Sequence, residues 1–173
     1  MPRVDVFDQG GVWITSAEAP GRAELVFKAQ VTSPHFARIS HSPVDPSVAT
    51  GGYTLSFKSL GEDDHGDFAE EASSISPDPT GTSSPIYGRF EYPSDEDWFT
   101  FRGEQGRTYR VIFDTQYVAP AMAVFAGANL RQPLLTFQSA DVSFTLPATG
   151  TFFIATAPPQ ATEGSYAFNF LVN

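Results

Sequence analysis

Residues 95–113 read DEDWFTFRGEQGRTYRVIF and contain two short runs with the side-chain period of a β-strand. In the first run Asp97, Phe99 and Phe101 fall on one face and Trp98 on the other, since successive side chains of a strand point to opposite faces. The second run, TYRVIF, alternates in the same way, and a Gly-containing turn separates the two. This stretch therefore predicts two adjacent strands that place aromatic side chains in a core.

The same kind of pattern continues along most of the 173 residues, and helical periodicity is nearly absent. Short β-branched and aromatic runs are separated by Gly, Pro, Asn or Asp, which is typical of antiparallel sandwiches. We therefore predict an all-β fold, an antiparallel, jelly-roll-like β-sandwich. The predicted strands are residues 3–7, 11–16, 22–28, 35–40, 52–58, 86–91, 97–102, 107–113, 121–126, 133–138, 141–146, 151–157 and 165–172.

The amino-acid composition indicates a folded domain and argues against several classes of binding partner. Hydrophobic residues make up 41% of the chain and aromatic residues 14%, enough for a sizeable core. The net charge of −10 makes nucleic acid and anionic membrane surfaces poor partners. No run of about 18 apolar residues is present, so we expect no membrane insertion. The chain has no Cys, which excludes disulfides and thiol chemistry.

Residues 59–85 differ from the rest because they carry seven acidic residues and no Lys or Arg. Charge runs with Pro and Ser are typical of linkers, so we predict an acidic linker at residues 59–68. A short helical turn is expected at residues 67–72, with Asp67 as its N-cap and Glu70 three residues later.

The chain also resembles itself. The segment GGYTLSFKSL (51–60) parallels EGSYAFNFLVN (163–173), and RVDVFDQGGVWIT parallels AMAVFAGANLRQP. AELVF and VSFTL follow in matching order, as do HFARISHSPVDPSVAT and FFIATAPPQATE. We therefore expect about one and a half tandem units. Residues 1–58 would be the C-terminal half of a repeat and residues 69–173 a complete one.

The second unit resembles the bacterial pre-peptidase C-terminal domain family. The matching features, in order, are GEDDHGDFAEEASSI, IYGRFEYPSDEDWFTFRGEQGRTYRV, AVFAG and TGTFFIATA with EGSYAFNF. The resemblance implies a non-catalytic accessory or structural module of a secreted or cell-surface bacterial protein, in an extracellular location. Its partners would be other domains of a longer chain, neighbouring copies, or an extracellular protein or polysaccharide.

Carboxylates cluster in the acidic segment and again at the start of a strand. They are Glu62, Asp63, Asp64, Asp67, Asp95 and Asp97. Clustered carboxylates repel one another unless a cation neutralises them, and Ca²⁺ takes six to eight oxygen ligands. Some members of the resembled family, notably the collagen-binding modules of clostridial collagenases, bind Ca²⁺ between two such segments. The alternatives are a Ca²⁺ site formed by these six residues and a solvated acidic linker beside an ordinary polar turn.

Other side chains give weaker signals. The sequence has no G-x-S-x-G, no H-E-x-x-H and no thiol, so no enzyme activity is expected. His65, among the carboxylates, is expected to be exposed or to cap a turn. Four aromatic residues could form a surface patch for a protein or glycan: Tyr87, Tyr92, Tyr117 and Trp13.

Two functions remain open at this point. The first is the accessory or spacing module, rigidified by Ca²⁺. The second is a self-assembling subunit of an extracellular fibre or surface layer, because an incomplete sandwich leaves open strand edges that other chains can complete.

Overall fold

The computed structural model describes residues 1–41, 51–82 and 84–172. Within these ranges the regular structure is β-strand, with two short 3-10 turns at Ala69–Glu71 and Pro159–Ala161. The predicted all-β sandwich class is confirmed. No helix in the described part of the chain is long and apolar enough to span a membrane. The Pro-rich loop of the first repeat, and any pairing of His41 with Asp45, fall outside the described residues.

The chain divides into two compact units, Met1–Lys58 (unit 1) and Ser59–Asn173 (unit 2). Unit 1 contains a three-stranded antiparallel sheet in the order β2-β1-β3. Its strands are β1 (Pro2–Phe7), β2 (Trp13–Glu18) and β3 (Phe36–His41).

The predicted strands at residues 22–28 and 52–58 are wrong: both segments lie outside any sheet. Their alternating sequences favour a strand, but a strand forms only where a neighbouring strand accepts and donates its backbone hydrogen bonds. No backbone hydrogen bond joins residues 51–58 to another described residue.

Unit 2 contains two sheets. The four-stranded sheet has the order β10-β7-β12-β5 and the five-stranded sheet the order β4-β6-β11-β8-β9. All pairings are antiparallel except that of the short β4 with β6. The strands are β4 (Ser73–Ser74), β5 (Ile86–Phe90), β6 (Asp97–Gly103), β7 (Thr108–Phe113), β8 (Ala121–Ala126), β9 (Leu135–Phe137), β10 (Asp141–Thr145), β11 (Gly150–Ala157) and β12 (Gly164–Val172).

The core of unit 2 lies between the two sheets and is built by alternate residues of each strand. The alternation predicted for residues 97–101 is confirmed, since Phe99 and Phe101 are buried while Trp98 is half-buried on the other face. Phe99 contacts Phe168 edge to face, with ring centroids 5.4 Å apart, and Phe101 contacts Phe170 at 4.8 Å. Such aromatic contacts join β6 of one sheet to β12 of the other.

Residues 59–68, expected as a linker, belong to unit 2 in the structure. The turn that follows is a 3-10 helix that begins after Phe68 and has no side-chain cap. Asp67 as an N-cap is therefore wrong. Its carboxylate instead accepts a hydrogen bond from the hydroxyl of Tyr92 at 3.0 Å.

Phe168 of unit 2 and Leu55 of unit 1 occupy corresponding positions, and truncating them is expected to change stability by very different amounts. Phe168→Ala removes a fully buried ring and is expected to lower the free energy of unfolding of unit 2 by about 3–5 kcal/mol. Leu55→Ala, at an exposed position, is expected to change stability by less than about 0.5 kcal/mol. Amide hydrogen exchange of β6 and β11 in increasing denaturant measures the first value. Equal losses in both variants would contradict the packing described.

Candidate metal centre

Two segments of unit 2 meet at the start of β6. One is the loop at residues 63–67, and the other is the turn at residues 91–97 that joins β5 to β6. The backbone N–H of Trp98 donates to the carbonyl of Gly66 at 3.0 Å and fixes the loop against the strand. A side chain at Gly66 would collide with Glu71, so glycine permits this close approach.

The meeting of these segments brings carboxylates from both together. One oxygen from each of Asp63, Asp64 and Asp97 lies within 4.8 Å of the others, and the same is true of Asp63, Glu91 and Asp95. Asp63 belongs to both groups, so the two triplets form one cluster. Asp95 and Asp97 are fully buried, whereas Asp64 is exposed and opens the cluster to solvent.

Each of the two buried aspartates accepts a hydrogen bond on its Oδ2. The Oδ2 of Asp95 accepts the N–H of Glu91 at 2.7 Å, which closes the turn. The Oδ2 of Asp97 accepts the hydroxyl of Tyr166 at 2.7 Å. A side chain at Gly88 would collide with that hydroxyl, so glycine on β5 makes room for the bond.

The second oxygens of these groups are buried and have no hydrogen-bond partner among the described residues. They are Asp95 Oδ1, Asp97 Oδ1 and Glu91 Oε2. Buried polar atoms in native proteins are almost always satisfied, so each such oxygen calls for a proton or a ligand. These three atoms lie in one cluster that opens to solvent through Asp64, and carboxylate oxygens are the ligand type that hard cations prefer.

Burial makes the charged forms of these groups costly. It raises the pKa of Asp95 to about 8 and that of Asp97 to about 8. Burial also raises the pKa of Glu91, with smaller contributions from the carboxylates of Asp64 and Asp63. Among the described ion pairs, none provides Lys or Arg to Glu91, Asp95 or Asp97. The carboxyls of Glu91, Asp95 and Asp97 can therefore hold protons or a cation.

Four of the six predicted ligands fall in this cluster: Asp63, Asp64, Asp95 and Asp97. Glu62 is exposed and belongs to neither triplet. Asp67 lies beside the cluster, where it is bonded to Tyr92, and is in neither triplet. The sequence pattern places Glu91 at the end of a strand and not among the ligands, whereas β5 ends at Phe90 and Glu91 begins the turn. Its position four residues before Asp95 is the feature of the sequence that could have placed Glu91 in the same turn.

His65 is not the exposed or capping residue that was expected. Its ring is half-buried, with Nδ1 2.8 Å from Ser73 Oγ and Nε2 2.9 Å from the carbonyl of Tyr87. The ring also packs on Phe99, with centroids 4.6 Å apart. Both nitrogens are thus occupied by the fold, and the histidine anchors the acidic loop.

The surface aromatics do not form one patch. Tyr87 and Tyr117 make an exposed edge-to-face pair with centroids 6.2 Å apart, but Tyr92 is bonded at the acidic cluster and Trp13 belongs to unit 1. A separate open cleft of about 450 Å³ lies on the outer face of the five-stranded sheet. Trp98 and Phe125 stack along it, and alanines including Ala123 and Ala155 also line it.

No family model matches the sequence, and no curated protein matches it. Solved structures with a similar fold were found. The lysozyme inhibitor PliG of Aeromonas hydrophila, a periplasmic inhibitor of g-type lysozyme, is 15% identical with a TM-score of 0.50, covering 59% of this chain and 96% of its own. The pre-peptidase C-terminal domain of Bacillus anthracis collagenase is 12% identical with a TM-score of 0.46, covering 58% and 94%. The Salmonella Typhimurium PliG is 15% identical with a TM-score of 0.44, covering 59% and 97%. The similarity to the Aeromonas hydrophila inhibitor supports a shared β fold.

The raised pKa values predict how the stability of unit 2 depends on pH without metal. Because the folded pKa of Asp95 and Asp97 is about 8 against 3.8 in the unfolded chain, the folded state retains protons that the unfolded state loses. Their contribution is complete below about pH 4 and is lost as pH rises through about 8. Melting temperatures measured in chelator should therefore fall over this range.

The matched variants are Asp95→Asn with Asp97→Asn, which should flatten that fall, and Asp141→Asn, which should preserve it. Asp141 is an exposed group whose pKa is lowered by its hydrogen bond from Arg110. A wild-type melting temperature that rises between pH 4 and 8 in chelator would show that the two buried carboxyls are ionised at little cost.

Proposed function

We propose that this chain is a non-catalytic accessory or structural β-sandwich module of a secreted or cell-surface bacterial protein, and that unit 2 binds Ca²⁺. The observation that carries the proposal is the set of buried, unpartnered oxygens on Glu91, Asp95 and Asp97. They converge with Asp63 and Asp64 at the junction of two segments.

Calcium fits the donor set better than other metals. All the converging groups are carboxylate oxygens, which suit hard cations, and the His65 imidazole in the same loop is bonded to Ser73 and Tyr87. Mg²⁺ demands near-ideal octahedral geometry and keeps several waters, whereas Ca²⁺ accepts irregular sets of carboxylates. The five carboxylates come from two segments and form two overlapping triplets, which is not an octahedral arrangement. This irregular set favours Ca²⁺.

The proposed role of the ion is mechanical. It would bridge the loop at residues 63–67 to the turn at residues 91–97, replacing carboxylate repulsion by attraction. Since the loop lies near the start of unit 2, the ion would also stiffen the chain there. A spacing or presenting function requires such a fixed start.

A catalytic role for the same carboxylates is disfavoured because a substrate cannot reach them. Asp95 and Asp97 are fully buried beneath the loop, so a sugar or peptide cannot reach them as it must reach a glycosidase pair.

Several observations support an extracellular location. The chain has a net charge of −10 and no Cys, and it shares its fold with a periplasmic inhibitor. Extracellular modules bind Ca²⁺ with dissociation constants on the order of 10⁻⁴–10⁻³ M, and we expect an affinity in this range here. By analogy with that inhibitor the module's partner would be a protein, with an extracellular polysaccharide as the other class.

The alternative function is a self-assembling subunit of an extracellular fibre or surface layer. It is favoured by the exposed apolar side chains of unit 1, because open strand edges pair with other chains. It differs from the first function in making copies of this chain the main partner.

Calcium binding is tested on the full chain by calorimetry and by thermal unfolding at pH 7.5. We expect a dissociation constant on the order of 10⁻⁴–10⁻³ M and a stabilisation of unit 2 of about 2.7 kcal/mol when Ca²⁺ exceeds that constant about 100-fold. Asp95→Asn with Asp97→Asn should abolish both effects, while Mg²⁺ should give a smaller stabilisation.

The matched control is Glu62→Gln, which removes an acidic residue from the same segment but outside the cluster. It should bind Ca²⁺ as the unmutated chain does. Absence of binding to the unmutated chain would refute the site, and equal losses in the Glu62 variant would show that general acidity, rather than the cluster, attracts the ion.

A further inference from the structure

Unit 1 exposes side chains of a kind that normally fill a core. Along residues 51–58 the alternate positions Tyr53, Leu55 and Phe57 are 71%, 42% and 74% exposed. Trp13 and Phe36, both paired with Phe7 in the sheet, are also more than half exposed. Exposed large apolar side chains in this number are a feature of interaction surfaces.

The sheet of unit 1 has the same arrangement as part of unit 2. Its order β2-β1-β3 corresponds to β9-β8-β11, and all these pairs are antiparallel. The register also corresponds. Val6 lies opposite Thr15 and Ala37, and Val124 lies opposite Leu135 and Ile154.

The next segment follows the same correspondence. In residues 22–28 the alternate side chains Ala23, Leu25 and Phe27 are half-buried while those between them are exposed. Strand β10 and the residue after it show this alternation in unit 2. Phe27 packs on His35, the residue before β3, with ring centroids 5.6 Å apart, so this face of the segment lies against the start of β3.

The last segment shows what is missing. GGYTLSF of residues 51–57 corresponds to GSYAFNF of β12, whose Tyr166, Phe168 and Phe170 are buried. In unit 2, β12 lies between β7 and β5, β10 pairs with β7, and β11 pairs with β6. The described part of unit 1 has no counterpart of β5, β6 or β7. The corresponding side chains are exposed, and among the described strands only β1 pairs with β3.

We propose that unit 1 is a docking surface for a polypeptide segment that supplies three strands patterned like β5–β7. One strand would extend the sheet beside β3, and the other two would lie on either side of residues 51–58. The strand between residues 22–28 and 51–58 would carry large apolar residues at alternate positions, as Tyr109, Val111 and Phe113 do in β7. Main-chain hydrogen bonds would give affinity, and Tyr53, Leu55 and Phe57 would give specificity.

The charge of unit 1 agrees with a partner segment that has little net charge. Residues 1–58 contain five Lys or Arg and five Asp or Glu, whereas residues 59–173 contain five and fifteen. All of the net charge of −10 thus belongs to unit 2, and unit 1 has no excess charge to attract a polyelectrolyte.

A second copy of this chain is disfavoured as the donor. Its own β5–β7 strands are built into unit 2, where Tyr109, Val111 and Phe113 are almost completely buried. Donating them would require unfolding that unit. The docking surface is also independent of the cation centre, since the two features lie in different units and can fail separately.

The test uses the full chain and a synthetic peptide of residues 86–113 carrying a fluorophore. Fluorescence anisotropy should show saturable binding, and amide hydrogen exchange should show new protection in residues 22–28, β3 and residues 51–58. The amides of β6, β7 and β11 should be unchanged, which excludes exchange of the peptide into unit 2.

Two matched controls define the surface. The chain variant Leu55→Ser with Phe57→Ser changes only exposed side chains and should weaken binding at least about tenfold. The variant Tyr87→Ser with Tyr117→Ser, which removes an exposed aromatic pair of unit 2, should bind normally. A peptide with Tyr109→Ser, Val111→Ser and Phe113→Ser keeps the length and charge and should not bind.

Three results would overturn the proposal. The first is no binding by a monomeric chain, and the second is binding that leaves residues 51–58 unprotected. The third is a dimer in sedimentation analysis that Leu55→Ser with Phe57→Ser dissociates, which would make a second copy the occupant of the surface.

Discussion

Strand β12 is the element on which the rest of unit 2 depends. It hydrogen-bonds to β7 on one edge and to β5 on the other, and it carries Tyr166, Phe168 and Phe170 into the core. Phe168 contacts the ring of Phe99 in the opposite sheet, and Phe170 that of Phe101, so the strand joins both layers of the sandwich. Among the described strands β5 pairs only with β12, so it depends on β12 for its interstrand hydrogen bonds. The aromatic core depends on the same strand for Tyr166, Phe168 and Phe170.

The same strand connects the core to the acidic cluster. The hydroxyl of Tyr166 is the one donor to the Asp97 carboxylate among the described residues, and the space for it is made by Gly88 on β5. Core packing thus places a carboxylate where water is excluded, and burial then raises its pKa. The cluster is an extension of the core, which is why its protonation or metal binding must be coupled to the stability of the whole unit.

Much of the fold could be predicted from residue alternation, because each strand of unit 2 has one face in the core and one outside. The pairing of the acidic loop with the turn before β6 was also predictable in outline, since Asp63, Asp64, Asp95 and Asp97 stand at chain positions that a sandwich brings together. Glu91 and the anchoring role of His65 were not predictable. Both depend on where β5 ends and on how the loop packs against Phe99, which side-chain periodicity does not encode.

The two false strands of unit 1 show what alternation leaves undetermined. Residues 51–57 and β12 have similar sequences, yet only β12 lies between two neighbours and forms a strand. The physical difference is the strand that would lie alongside, because a β-strand is stable only when its backbone groups are bonded and its inward side chains are covered. Propensity describes which segments can join a sheet, and the available partner decides which of them do. An unpaired segment that retains core-type side chains is therefore evidence about a missing neighbour as much as about itself.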